Sequence, residues 1–175
     1  PKMANVILVV DMVRGFLEEG HNLYCGHAAR TIIPEVQSLV ERELAKGSTL
    51  LYICDTHEPD DLEFQMFPVH CIKDTVESEI IPELRDYPGE RIDKQRYSGF
   101  YGTNLGDRLA QLSPEKVIIC GVCTDICVMH TAADARNRDY HVEIPVYAVA
   151  TFNQEASKWT FDHMEQILGV TLLHK

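Results

Sequence analysis

Val117-Ile118-Ile119-Cys120-Gly121-Val122-Cys123-Thr124-Asp125-Ile126-Cys127-Val128 is the stretch on which the fold turns. Val117 to Cys120 form a short apolar run with the length and composition of a strand covered on both faces. A turn follows, and Thr124 to Arg138 then has the composition of a helix. The same strand-to-helix grammar recurs on either side. Val6 to Val10 is a second continuous apolar run, and Ala28 to Ala45 carries Ile32, Ile33, Val36, Leu39, Val40 and Leu44 at helical spacing, closed by Gly47. Thr49 to Cys54 is a further strand, leading into an irregular stretch that contains Pro59 and Pro68.

Farther along, a short helix is expected over Glu77 to Leu84, a strand over Arg91 to Asp93, turns over Tyr97 to Thr103 and a helix over Leu105 to Leu112. Val142 to Val149 reads as a strand interrupted by Pro145, which should mark an edge, bend or bulge. A helix over Lys158 to Leu168 and a strand over Val170 to Leu173 complete the order. Strands that alternate with helices are joined by right-handed crossovers, which cover both faces of a mostly parallel sheet. The expected class is therefore α/β, a three-layer α/β/α sandwich. Its 175 residues are enough for one core, so a single domain over residues 1–175 is expected.

Composition narrows the partners. The formal charge of -11 disfavours nucleic acid and anionic membrane surfaces, both of which reward clustered Lys and Arg. The apolar runs are too short to cross a bilayer, and the approach to Val6 lacks the basic leader and cleavage site of a secretory signal, so a cytoplasmic protein is the expectation. Oligomeric state is not encoded in any pattern here, and a homo-oligomer stays open. Six cysteines lie mostly in or beside apolar segments and form no evident disulfide framework. Neither a Gly-x-Gly-x-x-Gly fingerprint nor a Walker A loop is present, so the Rossmann-like order carries no nucleotide cofactor with it.

In a parallel sheet, side chains from separate segments converge beyond the carboxyl ends of the strands, where Asp11, Asp55, Lys94 and the Cys127 segment all fall. Asp55 and His57, two residues apart, can point the same way, and His70 can return across the loop. Three such ligands leave positions open for water or substrate and suit Zn2+ first, with Fe2+ and Mn2+ also accommodated. Glu63 is a fourth candidate ligand. Equally, the histidines could simply hydrogen-bond and Asp55 could cap a turn.

Cys127 stands at the start of a helix, where N–H groups can lower a thiol pKa and stabilise an oxyanion, although a cysteine filling the helix–sheet interface fits the same position. Cys123 is the competing nucleophile by location. Asp11 could take the thiol proton, and Lys94 could pair with Asp11 or with a surface acid. Phe16, Phe67 and Tyr97 could wall a flat aromatic substrate or serve as ordinary core.

Taken together, the chain resembles the nicotinamidase branch of the isochorismatase-like cysteine hydrolase superfamily. Gly121-Val122-Cys123-Thr124-Asp125-Ile126-Cys127-Val128, followed by Thr131-Ala132-Ala133-Asp134-Ala135, carries the strongest part of the resemblance. It implies Cys127 as nucleophile, Asp11 as base and Lys94 as third catalytic residue. It further implies a cis bond at Val122-Cys123, with backbone N–H groups of the Val122, Cys123, Ile126 and Cys127 segment forming an oxyanion hole. Asp55-Thr56-His57 and Phe67-Pro68-Val69-His70 look like the metal-binding portions of nicotinamidases, with Glu63 at an accessory position. Retention of these residues implies a substrate whose ring nitrogen meets the metal, and Phe16, Phe67 and Tyr97 then border a pyridine pocket.

The expected function is metal-dependent hydrolysis of nicotinamide, or of a related small pyridine carboxamide, to nicotinate and ammonia through a Cys127 thioester. The alternatives are another carboxamide or carbamoyl hydrolase of the same superfamily, or a noncatalytic metal-binding or protein-interaction domain. One departure bears on specificity. Where the family commonly resembles Asp-x-Gln-x-Asp-Phe, this chain has Asp11-Met12-Val13-Arg14-Gly15-Phe16, which loses two polar side chains and sets Arg14 near the expected mouth.

Overall fold

A computed structural model describes residues 4–175. Strand β1, Val6–Val10, is buried at every position and lies at the centre of the sheet. Ile7 and Val9 pack into one apolar cluster while Val6, Leu8 and Val10 pack into another. The period-2 alternation of a strand therefore serves two cores, one on each face.

Short helices α1, Arg14–Leu17, and α2, His27–Arg30, precede α3, Ile33–Ala45, and all three contribute to the first core. Strand β2, Thr49–Asp55, and β3, Glu90–Lys94, extend the sheet on one side of β1, and β4, Val117–Val122, extends it on the other. Helix α4, Leu105–Leu112, and α5, Met129–Asn137, supply Leu105, Leu109, Ala132 and Ala135 to the second core. Strands β5, Val142–Pro145, β6, Val149–Ala150, and β7, Thr171–Leu173, complete a sheet of order β3-β2-β1-β4-β5-β7, with β6 paired to β4. Helix α6, Gln154–His163, crosses to β7, and every strand pair is parallel. The protein is the expected three-layer α/β/α sandwich. Among the described residues, no helix is long and apolar enough to cross a membrane.

Several boundaries differ from the sequence reading. The helix expected over Ala28 to Ala45 is split into α2 and α3, with Pro34 in the first turn of α3. A proline ring cannot continue a helix past the carbonyl four residues earlier, here that of Arg30, so the break falls just before it. The helix expected over Glu77 to Leu84 is absent. Only Val76–Ser78 forms a single 3-10 turn, after which Ile80 bridges Val13 and the Ile81 N–H donates to the Met12 carbonyl at 3.1 Å. Long-range backbone pairing has overridden a local helical preference, and Pro82 disfavours helical geometry at the residue before it.

Pro145 ends β5 in a bend. Val146–Ala148 form a 3-10 turn, and the chain returns to β4 as β6. The proline is not at a sheet edge, since β5 lies between β4 and β7. The expected helix after β4 opens with a π turn, Thr124–Val128, and α6 starts earlier than Lys158 because Asn153 caps it by accepting from the Glu155 N–H.

Gly121 lies where β4 passes β1. Its φ is +112°, and a Cβ there would stand 2.1 Å from the Val10 carbonyl oxygen. Both the dihedral and the approach require glycine. Gly121→Ala is expected to cost at least about 3 kcal/mol, lowering Tm by about 6–12 °C for a chain of this size, as measured by thermal unfolding.

Candidate active site

Four chain segments end together at the carboxyl edge of the sheet. Asp55 and Lys94 are register partners at the ends of β2 and β3, Asp11 follows β1, and Cys127 sits in the π turn after β4. Asp11 has a φ of +52°, its N–H donates to the Ile53 carbonyl at 2.7 Å, and its Oδ1 accepts from the Asp55 N–H at 2.8 Å. The backbone of β2 thus holds the Asp11 carboxylate directly.

The Lys94 side chain is completely buried. Its Nζ stands 3.0 Å from Asp11 Oδ2, donates to Asp55 Oδ1 and donates to Cys127 Sγ at 3.3 Å. Burial alone would lower the Lys94 pKa, but Asp11, Asp55 and Cys127 outweigh it and hold the ammonium well above its ordinary value. Burial first and Asp55 second raise Asp11, against the opposing Lys94, to about 6. For Asp55 burial is likewise the largest effect, yet Lys94 and the two histidines reverse it and keep this carboxylate strongly acidic. Lys94 lowers the pKa of both carboxylates, and the two histidines beside Asp55, together with the repulsion of Asp55 on Asp11, drive their proton affinities apart.

Burial also pushes the Cys127 thiol well above its ordinary value, and Lys94 only partly counters this. The expectation that the helix start lowers this pKa is corrected. The resting side chain is a thiol, because a fully buried anion beside two carboxylates costs more than helical N–H groups return. Apart from its ion pair with Lys94, Asp11 Oδ2 has no hydrogen-bond partner, and an Asp11 carboxylate oxygen lies within 4.8 Å of Cys127 Sγ. Cys123 sits apart from this charge cluster, its Sγ against that of Cys25 at 3.6 Å. The Val122-Cys123 peptide is cis. The Ile126 N–H is engaged with the Cys123 carbonyl at 3.0 Å, so it drops out of the candidate oxyanion donors, and Ile126 contributes a wall instead.

Beside this cluster, Asp55, His57, Glu63 and His70 bring one ligand atom each within 4.8 Å of one another, all four buried. His57 Nε2 is 3.4 Å from Asp55 Oδ2 and 3.3 Å from Glu63 Oε2, while His70 Nε2 is 3.6 Å and 3.3 Å from the same two oxygens. His57 Nε2 is buried and has no hydrogen-bond partner. The opposite ring nitrogens are held from outside, His57 Nδ1 by Asp61 Oδ2 and His70 Nδ1 by the Pro68 carbonyl, each at 2.8 Å. Two imidazoles and two carboxylates converging through an otherwise unpaired nitrogen fit a borderline divalent ion. Glu63 belongs to this set as closely as the other three.

Asp11, Phe16, Asp55, Glu63, Phe67, His70, Tyr97, Val122, Cys123, Ile126 and Cys127 all line one cavity of about 370 Å³, counting the space open at its mouth. Leu23 and the half-exposed Phe152 also line it, although neither carried a sequence signal. Phe64, likewise without a sequence signal, packs edge-on to the His57 and His70 rings at 5.3 and 5.4 Å. Asp61 could have been found from its place four residues after His57, ahead of the turn that carries Glu63.

The departing motif has a structural reason. A Cβ on Gly15 would stand 2.8 Å from Glu77 Oε1 and 2.9 Å from Cys71 Sγ, and Val13 is a buried bridge partner of Ile80. Arg14 faces away from the cavity and pairs with Glu18 and Glu79 at 2.8 and 3.0 Å.

The Isochorismatase domain family matches residues 5–175, and the chain belongs to that family. Its fold is superposable on the pyrazinamidase/nicotinamidase of Streptococcus mutans UA159, at TM-score 0.91 and 30% identity over 97% of this chain and 100% of the other. The N-carbamoylsarcosine amidase of Thermoplasma acidophilum is similar at TM-score 0.88 and 33% identity, over 98% and 96% of the two chains. A pyrazinamidase of Pyrococcus horikoshii in complex with zinc gives TM-score 0.89 and 28% identity over 98% and 99%. The combined thiol and metal-binding cluster is that of a hydrolase and is consistent with carboxamide hydrolysis.

Lys94→Met should leave two buried carboxylates without their counterion and destabilise the fold by about 3–5 kcal/mol in urea unfolding. Arg14→Ala, by contrast, should leave amide turnover unchanged, since that side chain lies outside the cavity.

Proposed function

We propose that residues 1–175 act as one domain, a cytoplasmic metal-dependent nicotinamidase that hydrolyses nicotinamide to nicotinate and ammonia and so feeds pyridine nucleotide synthesis. The observation that carries this reading is the lining of the cavity. A thiol and a metal-ligand cluster share Asp55 as a common wall, Phe16, Phe67 and Tyr97 supply aromatic sides, and among the described residues no Lys or Arg lines the space. An apolar-walled space edged by three carboxylates, with the Lys94 ammonium engaged behind it by Asp11, Asp55 and Cys127, favours a flat, neutral carboxamide over an anionic one.

Asp55, His57, His70 and Glu63 would hold a divalent ion, Zn2+ favoured over Fe2+ or Mn2+, which would supply a Lewis acid able to anchor a ring nitrogen. Phe16, Phe67 and Tyr97 hold the ring so that its carboxamide carbon faces Cys127. Asp11, ionised near neutral pH, accepts the Cys127 proton as sulfur attacks that carbon. The Cys123 and Cys127 N–H groups serve as donors to the developing oxyanion. Lys94 keeps its proton throughout and balances charge at Asp11 and at the sulfur. Asp11 then returns the proton to the departing ammonia, accepts another from the water that cleaves the thioester, and passes that one to the departing sulfur, regenerating the thiol as nicotinate and a solvent proton are released.

Carbamoyl hydrolysis is the second reading, supported by the likeness to N-carbamoylsarcosine amidase. Ammonia release from nicotinamide and from linear ureides, compared at equal concentration, separates the two. Zinc-loaded protein should act on nicotinamide and leave the ureides largely untouched. Cys127→Ala should lower kcat by at least about 10³-fold, as expected for loss of a nucleophile. Chelation should abolish turnover and zinc should restore it. A folded, zinc-loaded protein that releases no ammonia from nicotinamide would redirect the assignment to another amide.

A further inference from the structure

We propose that Asp61 is a positioning residue that sets two of the metal-ligand side chains at once and ties them to the strand that carries Lys94. This rests on the reading that Asp55, His57, Glu63 and His70 hold a metal ion. Asp61 lines neither the cavity nor the ligand cluster, yet its side chain is only 3% exposed. Oδ2 stands 2.8 Å from His57 Nδ1, and Oδ1 accepts from the Glu63 N–H at 2.8 Å. Arg96 Nη1 donates to both oxygens, at 2.9 and 3.0 Å.

Each contact has a separate consequence. A carboxylate is acceptor-only, so it fixes the proton of a neutral His57 on Nδ1 and leaves the Nε2 lone pair facing Asp55 and Glu63. The contact to the Glu63 N–H is the N-cap of the 3-10 turn Leu62–Gln65, which fixes where the Glu63 side chain begins. Arg96 lies two residues beyond Lys94 at the end of β3, so its guanidinium anchors the metal-ligand loop to the same strand end that organises the nucleophile. His70 differs, because the local Pro68 carbonyl orients its ring instead.

The test is metal affinity, measured for Zn2+ by competition with a chromophoric chelator and for Co2+ by its visible absorption bands. Asp61→Asn preserves an oxygen able to cap the Glu63 turn but removes the anion from His57. It should bind Zn2+ about 10–100-fold more weakly than wild type and shift the Co2+ bands, with metal-free thermal stability little changed. Arg96→Gln, altering a partly exposed side chain, should weaken Zn2+ by a smaller factor and supplies the decisive measurement if Asp61→Asn fails to fold. Wild-type Zn2+ affinity and Co2+ bands retained in Asp61→Asn, or in Arg96→Gln should that variant alone fold, would overturn the role of Asp61 while leaving the metal site standing. A wild-type protein that binds neither ion would overturn the metal site, and the proposal with it.

Discussion

The ammonium of Lys94, sealed from solvent at the end of β3, is the constraint on which the site is built. A buried cation is tolerable only when paired, and this one is held by Asp11, Asp55 and the Cys127 sulfur together. The pairing decides protonation. Asp55 stays ionised, Asp11 is left as the carboxylate whose proton affinity lies nearer neutrality, and the Cys127 thiol is held above its ordinary pKa. Asp55 also couples the two halves of the site, since Oδ1 meets Lys94 while Oδ2 faces His57 and His70.

That arrangement is available because the sheet is parallel. Consecutive strand ends all point to one edge, so residues 44 and 39 positions apart become neighbours without any local loop joining them. The register pairing of Asp55 with Lys94, and of Val10 with Gly121, turns strand alignment into side-chain geometry. The close passage at Gly121 matters for the same reason, since it lets β4 deliver the Cys123–Cys127 turn beside the end of β1.

Much of this was legible along the chain. The apolar runs at Val6–Val10 and Val117–Cys120 read as strands and are strands, and the polar residues that follow the strands were the ones brought together. Less legible were features fixed by distant partners. Glu77 to Leu84 has helical composition, yet Glu79 to Ile81 pair with the Met12 to Arg14 backbone, and local pattern holds no information about that partner. Leu23 and Phe152 are ordinary apolar residues until the fold carries them to the cavity. Arg14 looked poised at the mouth but points to Glu18 and Glu79.

The sequence by itself determined the layered α/β/α class, the parallel order and the chemical types available at the strand ends, because hydrophobic periodicity and residue chemistry are local properties of the chain. The tertiary structure alone decided which of those groups share a proton or face a common centre. It made Glu63 a full member of the ligand cluster and brought Asp61 in behind His57. It also raised the Cys127 thiol where a helix start by itself would lower it. Burial and the distance between charges set each of these outcomes, and neither quantity exists until the strands are aligned.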